Sequence, residues 1–207
     1  MVERFLGFLR DGRPAHVAEE VERLTLSGLS SRSIYLRVFA PALVKIGSLW
    51  EEGVISVAEE HLATALVRAQ MARLAPLPPQ LPSMSGRVVL AAVPGELHAV
   101  GLRMVADFLE GDGWEVADLA QSTPRDDLVR FVRMRRPHVV GLSCGLIDHL
   151  GEAAAVVRAL RSLPDTPVVL VGGSSLAHDP AAAGAIGADV VAKDAQEACG
   201  ALQQRFE

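Results

Sequence analysis

The chain has 207 residues, half of them apolar and 22% charged, enough for one large domain or two small ones, each with its own core. Its net charge of −5 comes from interspersed acids and bases, and the longest basic cluster, Arg130 to Arg136, alternates with Phe131, Val132 and Met134 like the solvated face of a helix, so no direct nucleic-acid binding is expected. Cys144 and Cys199 form neither a disulfide framework nor a metal spacing, Met1 to Arg10 lacks a signal-peptide core, and no apolar run reaches the ~20 residues of a spanning helix, so the expectation is a soluble cytoplasmic protein without membrane attachment.

The first 75 residues carry only helical patterns. Glu3 to Leu9 is a first helix, and Pro14 opens a second that runs to about Leu26. Phe39, Ala42, Leu43, Ile46, Leu49 and Trp50 fall at offsets of three and four as one stripe, in which Pro41 kinks the helix or restarts it. After a turn at Gly53, a second stripe comprises Ala58, Leu62, Ala65, Leu66 and Ala69. A four-helix bundle over 1–75 is the economical arrangement. Pro76, Pro78, Pro79 and Pro82, with Ser83, Ser85 and Gly86, can continue neither a helix nor a central strand and predict a linker over 76–86.

From residue 87 to 207 short apolar runs alternate with helical stretches. Strands are predicted at Arg87 to Val93, Trp114 to Leu119, His138 to Ser143, Val168 to Val171 and Asp189 to Ala192, with helices near 98–111, 124–136, 148–163, 178–186 and 194–205. Parallel strands need crossovers, so this order predicts an α/β domain, a doubly wound five-stranded parallel sheet of the flavodoxin or Rossmann-like kind. Ligands in such sheets bind beyond the carboxyl ends of the strands. The informative residues are therefore those of the segments Pro94 to Gly101, Ser143 to Asp148 and Gly172 to Ser175.

In the first of these segments His98 stands two residues after Glu96, on a loop leading into a helix. One ring nitrogen of such a His can take a metal while the other donates to the acid, which fixes the tautomer and strengthens the ligand. Gly95 and Gly101 permit turns and close approach. A zinc site from His98, His149 and His178 is a competing arrangement, without supporting Cys or carboxylate spacing.

Glu96-x-His98-x-x-Gly101, Ser143 after the third strand and Gly172-Gly173 after the fourth resemble the motif of cobalamin-binding domains: acid-x-His-x-x-Gly, Ser-x-Leu, Gly-Gly. The resemblance implies that His98 replaces the dimethylbenzimidazole base as lower axial ligand of cobalt. It also implies that the displaced nucleotide tail threads into the sheet beside Ser143 and the paired glycines, with Leu97, Gly145, Leu146 and Ser174 among the cofactor-binding residues. Two features depart from the motif: the acid is Glu rather than the commoner Asp, and the Leu comes one residue late, in Ser143-Cys144-Gly145-Leu146.

The helical half resembles the light-sensing members of that family, the cobalamin-dependent regulators with a MerR-type DNA-binding region. Trp50 is followed by nine residues and then Glu60-His61. In that subfamily this pattern lies over the upper face of adenosylcobalamin, and an aromatic plane with an acid and an imidazole suits an adenosyl group. Those regulators carry His directly after the Trp, where this chain has Glu51, and no basic helix-turn-helix segment precedes the helices, so these residues alone would not form a repressor of that kind.

The implied function is a cobalamin-binding sensory module, a light sensor holding adenosylcobalamin between helix bundle and Rossmann-like domain. It binds and switches, with no catalytic residue assigned, and its partners would be the corrinoid and either further copies of itself or a downstream regulatory protein. One alternative is a methyl-carrying corrinoid protein of a methyltransferase system, against which Trp50, Glu60 and His61 argue, since a methyl group needs no adenosyl pocket. Another is a photoreceptor pairing cobalamin with a bilin, for which the missing upper His makes room. A receiver domain of response regulators would share the sheet order and Lys193, but Ala92-Val93-Pro94 and Ser143 stand where its acidic residues belong.

Overall fold

The computed structural model of the chain describes residues 1–74, 86–178 and 184–206, so the predicted linker lies outside the described residues except for Gly86. The chain divides into two compact units, Met1–Pro76 and Leu77–Glu207.

In the first unit α1 (Val2–Arg10) leads through a tight turn at Gly12, with φ +59°, into α2 (Pro14–Leu26), whose proline sits in the first turn where no N–H is needed. A short helix, α3 (Ser31–Ile34), is capped by the Ser30 hydroxyl, which accepts the Ser33 N–H at 3.2 Å. A π-helical turn over Tyr35–Phe39 joins α3 to α4 (Ala40–Glu51), and the Ala40 N–H reaches back five residues to the Tyr35 carbonyl. Pro41 thus neither breaks nor restarts the rod: the missing proline N–H is accommodated immediately after a widened turn. Helix α5 (Val57–Leu74) completes the bundle, α1 packing on α2, α4 and α5. Its core stacks Phe5 on Phe39 with ring centroids 5.2 Å apart, and the Tyr35 hydroxyl donates to the Met71 carbonyl at 3.0 Å.

The second unit runs β1 (Arg87–Ala92), α6 (Val100–Gly111), β2 (Glu115–Ser122), α7 (Arg125–Arg135), β3 (Val139–Ser143), α8 (Leu150–Arg161), β4 (Val168–Gly172), α9 (Ser174–His178), β5 (Val190–Ala192) and α10 (Ala195–Phe206). All neighbouring strands are parallel, in the order β2-β1-β3-β4-β5, which is the doubly wound order. The central strands β1 and β3 are buried along nearly their whole length, as a sheet covered on both faces requires. Register places Ser122, Ala92, Ser143, Gly172 and Ala192 side by side across the carboxyl end of the sheet, a row of small residues.

Two boundaries depart from the sequence pattern. Strand β2 continues past Leu119 to Ser122 by means of a bulge: Leu90 faces Asp118 but Ala92 faces Ser122. Ala120 adopts φ 58° there, and its N–H donates to Asp118 Oδ1 at 2.9 Å. A short helix not expected from the sequence, α9 (Ser174–His178), follows β4 directly, because Gly173, with φ +128°, turns the chain out of the strand; of the helix expected at 178–186, residues 184–186 are helical and 179–183 lie outside the described residues.

Candidate functional site

The loop after β1 begins with a tight turn in which the Glu96 N–H donates to the Val93 carbonyl at 3.0 Å and Gly95 takes φ +86°. This turn drives the Glu96 side chain inward, where it is 0% exposed. Oε1 accepts the His98 backbone N–H at 2.8 Å and faces His98 Nδ1 at 2.6 Å. Oε2 accepts the backbone N–H groups of Gly145 at 2.6 Å and Leu146 at 3.2 Å, and lies 3.3 Å from His149 Nδ1. Burial by itself would push this carboxyl up, but the bonds from His98, Gly145 and His149 outweigh it and hold the group at about 2. Glu96 is therefore an anion at neutral pH.

A carboxylate 2.6 Å from Nδ1 accepts a hydrogen bond from the Nδ1–H and keeps the proton on that nitrogen, so the ring lone pair of His98 sits on Nε2. The His98 side chain is 62% exposed while its carboxylate partner is enclosed. An imidazole of fixed tautomer backed by a buried anion is the donor a borderline transition metal such as cobalt accepts. Leu97, 85% exposed, and Leu146 and Ile147 on the loop that donates to Glu96 are exposed apolar side chains.

The small residues of the other two loops have individual reasons. A Cβ at Gly145 would lie 3.0 Å from Glu96 Oε2, one at Gly172 would lie 2.8 Å from the Ala192 carbonyl, and one at Gly173 would fall on the Cys144 carbonyl. The Ser174 hydroxyl donates to the Gly145 carbonyl at 2.8 Å and Ser175 to that of Cys144, stitching the loops after β3 and β4 together. Ser143 closes β3, its carbonyl accepting the Val93 N–H at 3.0 Å. Burial pushes the Cys144 thiol up, so it stays an unreactive thiol. Gly101 is helical, in the first turn of α6, rather than in the turn itself, with open space around its Cβ position, so no internal packing requires a glycine there.

Two residues that the cobalamin motif did not assign belong to this site. His149, in a turn of 3-10 helix (Ile147–His149), is the second imidazole on Glu96, and Ser122 accepts the Gly95 N–H at 2.7 Å. Neither leaves a local signal, since both meet the loop only through the fold. Among the described residues no three His, Cys, Asp or Glu side chains are disposed to hold a metal ion, and His149 turns to Glu96 rather than joining a zinc-type cluster.

The remaining candidates lie in the helical unit. Trp50, 44% exposed, stands one residue from the end of α4, and Gly53, with φ +70°, reverses the chain. Ser56 and Glu59 start α5 reciprocally: the Glu59 carboxylate accepts the Ser56 N–H at 2.7 Å, and the Ser56 hydroxyl accepts the Glu59 N–H at 3.3 Å. Glu60 and His61 follow at once, the Glu60 carboxylate held by the Thr64 hydroxyl at 2.8 Å and the His61 ring largely exposed.

Residues 86–203 match the model of the B12 binding domain, and residues 1–75 match a second B12 binding domain model. The chain is 35% identical over 164 residues to the HTH-type transcriptional repressor CarH of Myxococcus xanthus, a match covering 79% of this chain but about half, 53%, of the repressor. It is 28% identical over 174 residues to the dimethylamine corrinoid protein of Methanosarcina barkeri, covering 82% of this chain and 81% of that one. The monomethylamine corrinoid protein of Methanosarcina barkeri has the same fold, with a TM-score of 0.83 over 96% of this chain and 95% of that chain at 17% identity. With both family models matched and a carboxylate-backed imidazole displayed at the strand ends, the chain belongs to the B12-binding domain family and is a cobalamin-binding module.

Proposed function

We propose that the chain is a light-responsive sensor that takes adenosylcobalamin, with His98 as lower axial ligand. The observation that carries this reading is the Trp50, Glu60, His61 set: an exposed indole ends α4, and an acid and an imidazole open α5. When bound, adenosylcobalamin supplies a visible chromophore and a cobalt-carbon bond that light cleaves. His98 would offer Nε2 to cobalt while Glu96 fixes its ring and strengthens it as a donor. Trp50 offers a face for adenine, and Glu60, oriented by Thr64, accepts from ribose hydroxyls. Ser143 and Gly172, small and partly exposed side by side at the carboxyl end of the sheet, would flank the nucleotide tail. Glu51, directly after Trp50, would offer a carboxylate and not an imidazole beside the indole. The output is altered helix packing or self-association, read by another copy or by a downstream regulatory protein. The test is the visible spectrum of the chain loaded with adenosylcobalamin, before and after green light; an unchanged spectrum refutes the reading.

A methyl-carrying corrinoid protein is the second reading, favoured by coverage: the match spans 81% of the dimethylamine corrinoid protein against 53% of the repressor. Methyl transfer assayed with a corrinoid methyltransferase decides it. A bilin beside the cobalamin would add a far-red absorption band to the purified protein.

A further inference from the structure

The turn that presents Glu96 and His98 is fastened by a residue that touches neither. Val93-Pro94-Gly95-Glu96 has the marks of a type II turn: proline second, glycine third with φ +86°, and the Glu96 N–H on the Val93 carbonyl. The central peptide of such a turn, here between Pro94 and Gly95, has a second orientation, flipped by about 180°, in which the third residue no longer needs positive φ. The observed orientation directs the Gly95 N–H to Ser122 Oγ at 2.7 Å. A flip would break that bond, turn Gly95 to negative φ and free the turn that carries Glu96 from its anchor on β2.

Ser122 reaches Gly95 only because β2 carries its bulge, which sets Ser122 opposite Ala92. Asp118 holds the bulge, one carboxylate oxygen accepting the Ala120 N–H at 2.9 Å and the other pairing with Arg103 at 3.3 Å. Arg103 lies in the first turns of α6, the helix that follows His98. Strand β2 thus holds the 94–99 loop at Gly95 and the helix that follows it at Arg103. We propose that Ser122 is a positioning residue for the lower-ligand loop, its hydroxyl fastening the Pro94–Gly95 peptide, and with it the turn that carries Glu96 toward His98, to strand β2. The role toward cobalt rests on the reading of His98 as axial ligand.

The test uses the full chain as Ser122→Ala and Ser122→Thr. Amide hydrogen exchange is followed without corrinoid at Gly95 and Glu96, with Val140 in the sheet core as control. The second readout is the fraction of bound cob(II)alamin that carries a nitrogen ligand from 15N-labelled histidine, read by EPR. Loss of one neutral hydrogen bond predicts that Ser122→Ala speeds exchange at Gly95 and Glu96 about three- to tenfold, with Val140 unchanged. It also predicts a lower histidine-ligated fraction, and Ser122→Thr, which keeps the hydroxyl, restores both. Unchanged exchange in Ser122→Ala, equal acceleration at Val140, or a Thr variant behaving like Ala overturns the proposal. If the wild type itself shows no histidine ligation, the cobalt reading fails, and the exchange comparison alone then upholds or overturns the turn lock.

Discussion

The substitution Glu96→Gln should remove a stabilisation whose size and pH dependence follow from the geometry. Both carboxylate oxygens face only donors: His98 N and Nδ1 on one, Gly145 N, Leu146 N and His149 Nδ1 on the other. A Gln amide, either way round, must point its own NH2 at donors. The carboxyl is held at about 2, below its ordinary value of 4.5, because the folded state favours the anion. Its contribution is therefore complete above about pH 5 and is lost as pH falls toward 2. About 2.5 pH units at about 1.36 kcal/mol each amount to roughly 3 kcal/mol at pH 7, of which about 2 kcal/mol is gone by pH 3. The assay is urea unfolding without corrinoid, followed by fluorescence of the buried Trp114 in a Trp50→Phe background, at pH 7 and pH 3. The stability gap between the chain with its native Glu96 and the Glu96→Gln variant should shrink by about 2 kcal/mol between the two pH values. A gap that stays constant within about 0.5 kcal/mol would refute an ionised, donor-saturated Glu96.

Gly173→Ala must strain a φ of +128° and place a methyl on the Cys144 carbonyl, so it should lower stability by more than about 2 kcal/mol in the same urea assay. Gly101→Ala, helical and in open space, should leave stability unchanged or raise it by up to about 1 kcal/mol while weakening corrinoid binding measured by equilibrium titration. Ser56→Ala breaks the reciprocal cap of α5 and should cost about 1 kcal/mol, seen as a lower thermal midpoint. Trp50→Ala should weaken adenosylcobalamin about tenfold more than methylcobalamin in parallel titrations, the worth of one aromatic stack.

The sheet was legible because parallel central strands need both faces covered, and runs such as Val88 to Val93 and Val139 to Leu142 can satisfy nothing else. The end of β2 was not, because Ala120-Gln121-Ser122 has no strand pattern and the bulge depends on an Asp118–Arg103 contact between distant elements. Pro41 announced a disturbance in its helix, but the answer, a π turn before it, is set by packing of Tyr35 and Phe39 in the core. In the site, Glu96 and His98 could be paired from spacing alone, since two residues of separation bring acid and ring together locally. His149 and Ser122 reach the same loop from 53 and 27 residues away, and only the sheet order brings them there.

Whether a histidine nitrogen sits under cobalt is the question on which the rest depends, and isotope labelling answers it directly. The chain, grown with 15N-histidine and loaded with cob(II)alamin, is measured by EPR beside an unlabelled sample and a labelled His98→Ala variant. Ligation by His98 predicts that the superhyperfine triplets of the unlabelled protein become doublets on labelling, and that the His98→Ala sample shows no doublets. Triplets that persist in the labelled wild type would mean that dimethylbenzimidazole keeps its place on cobalt and that His98 is not the lower ligand.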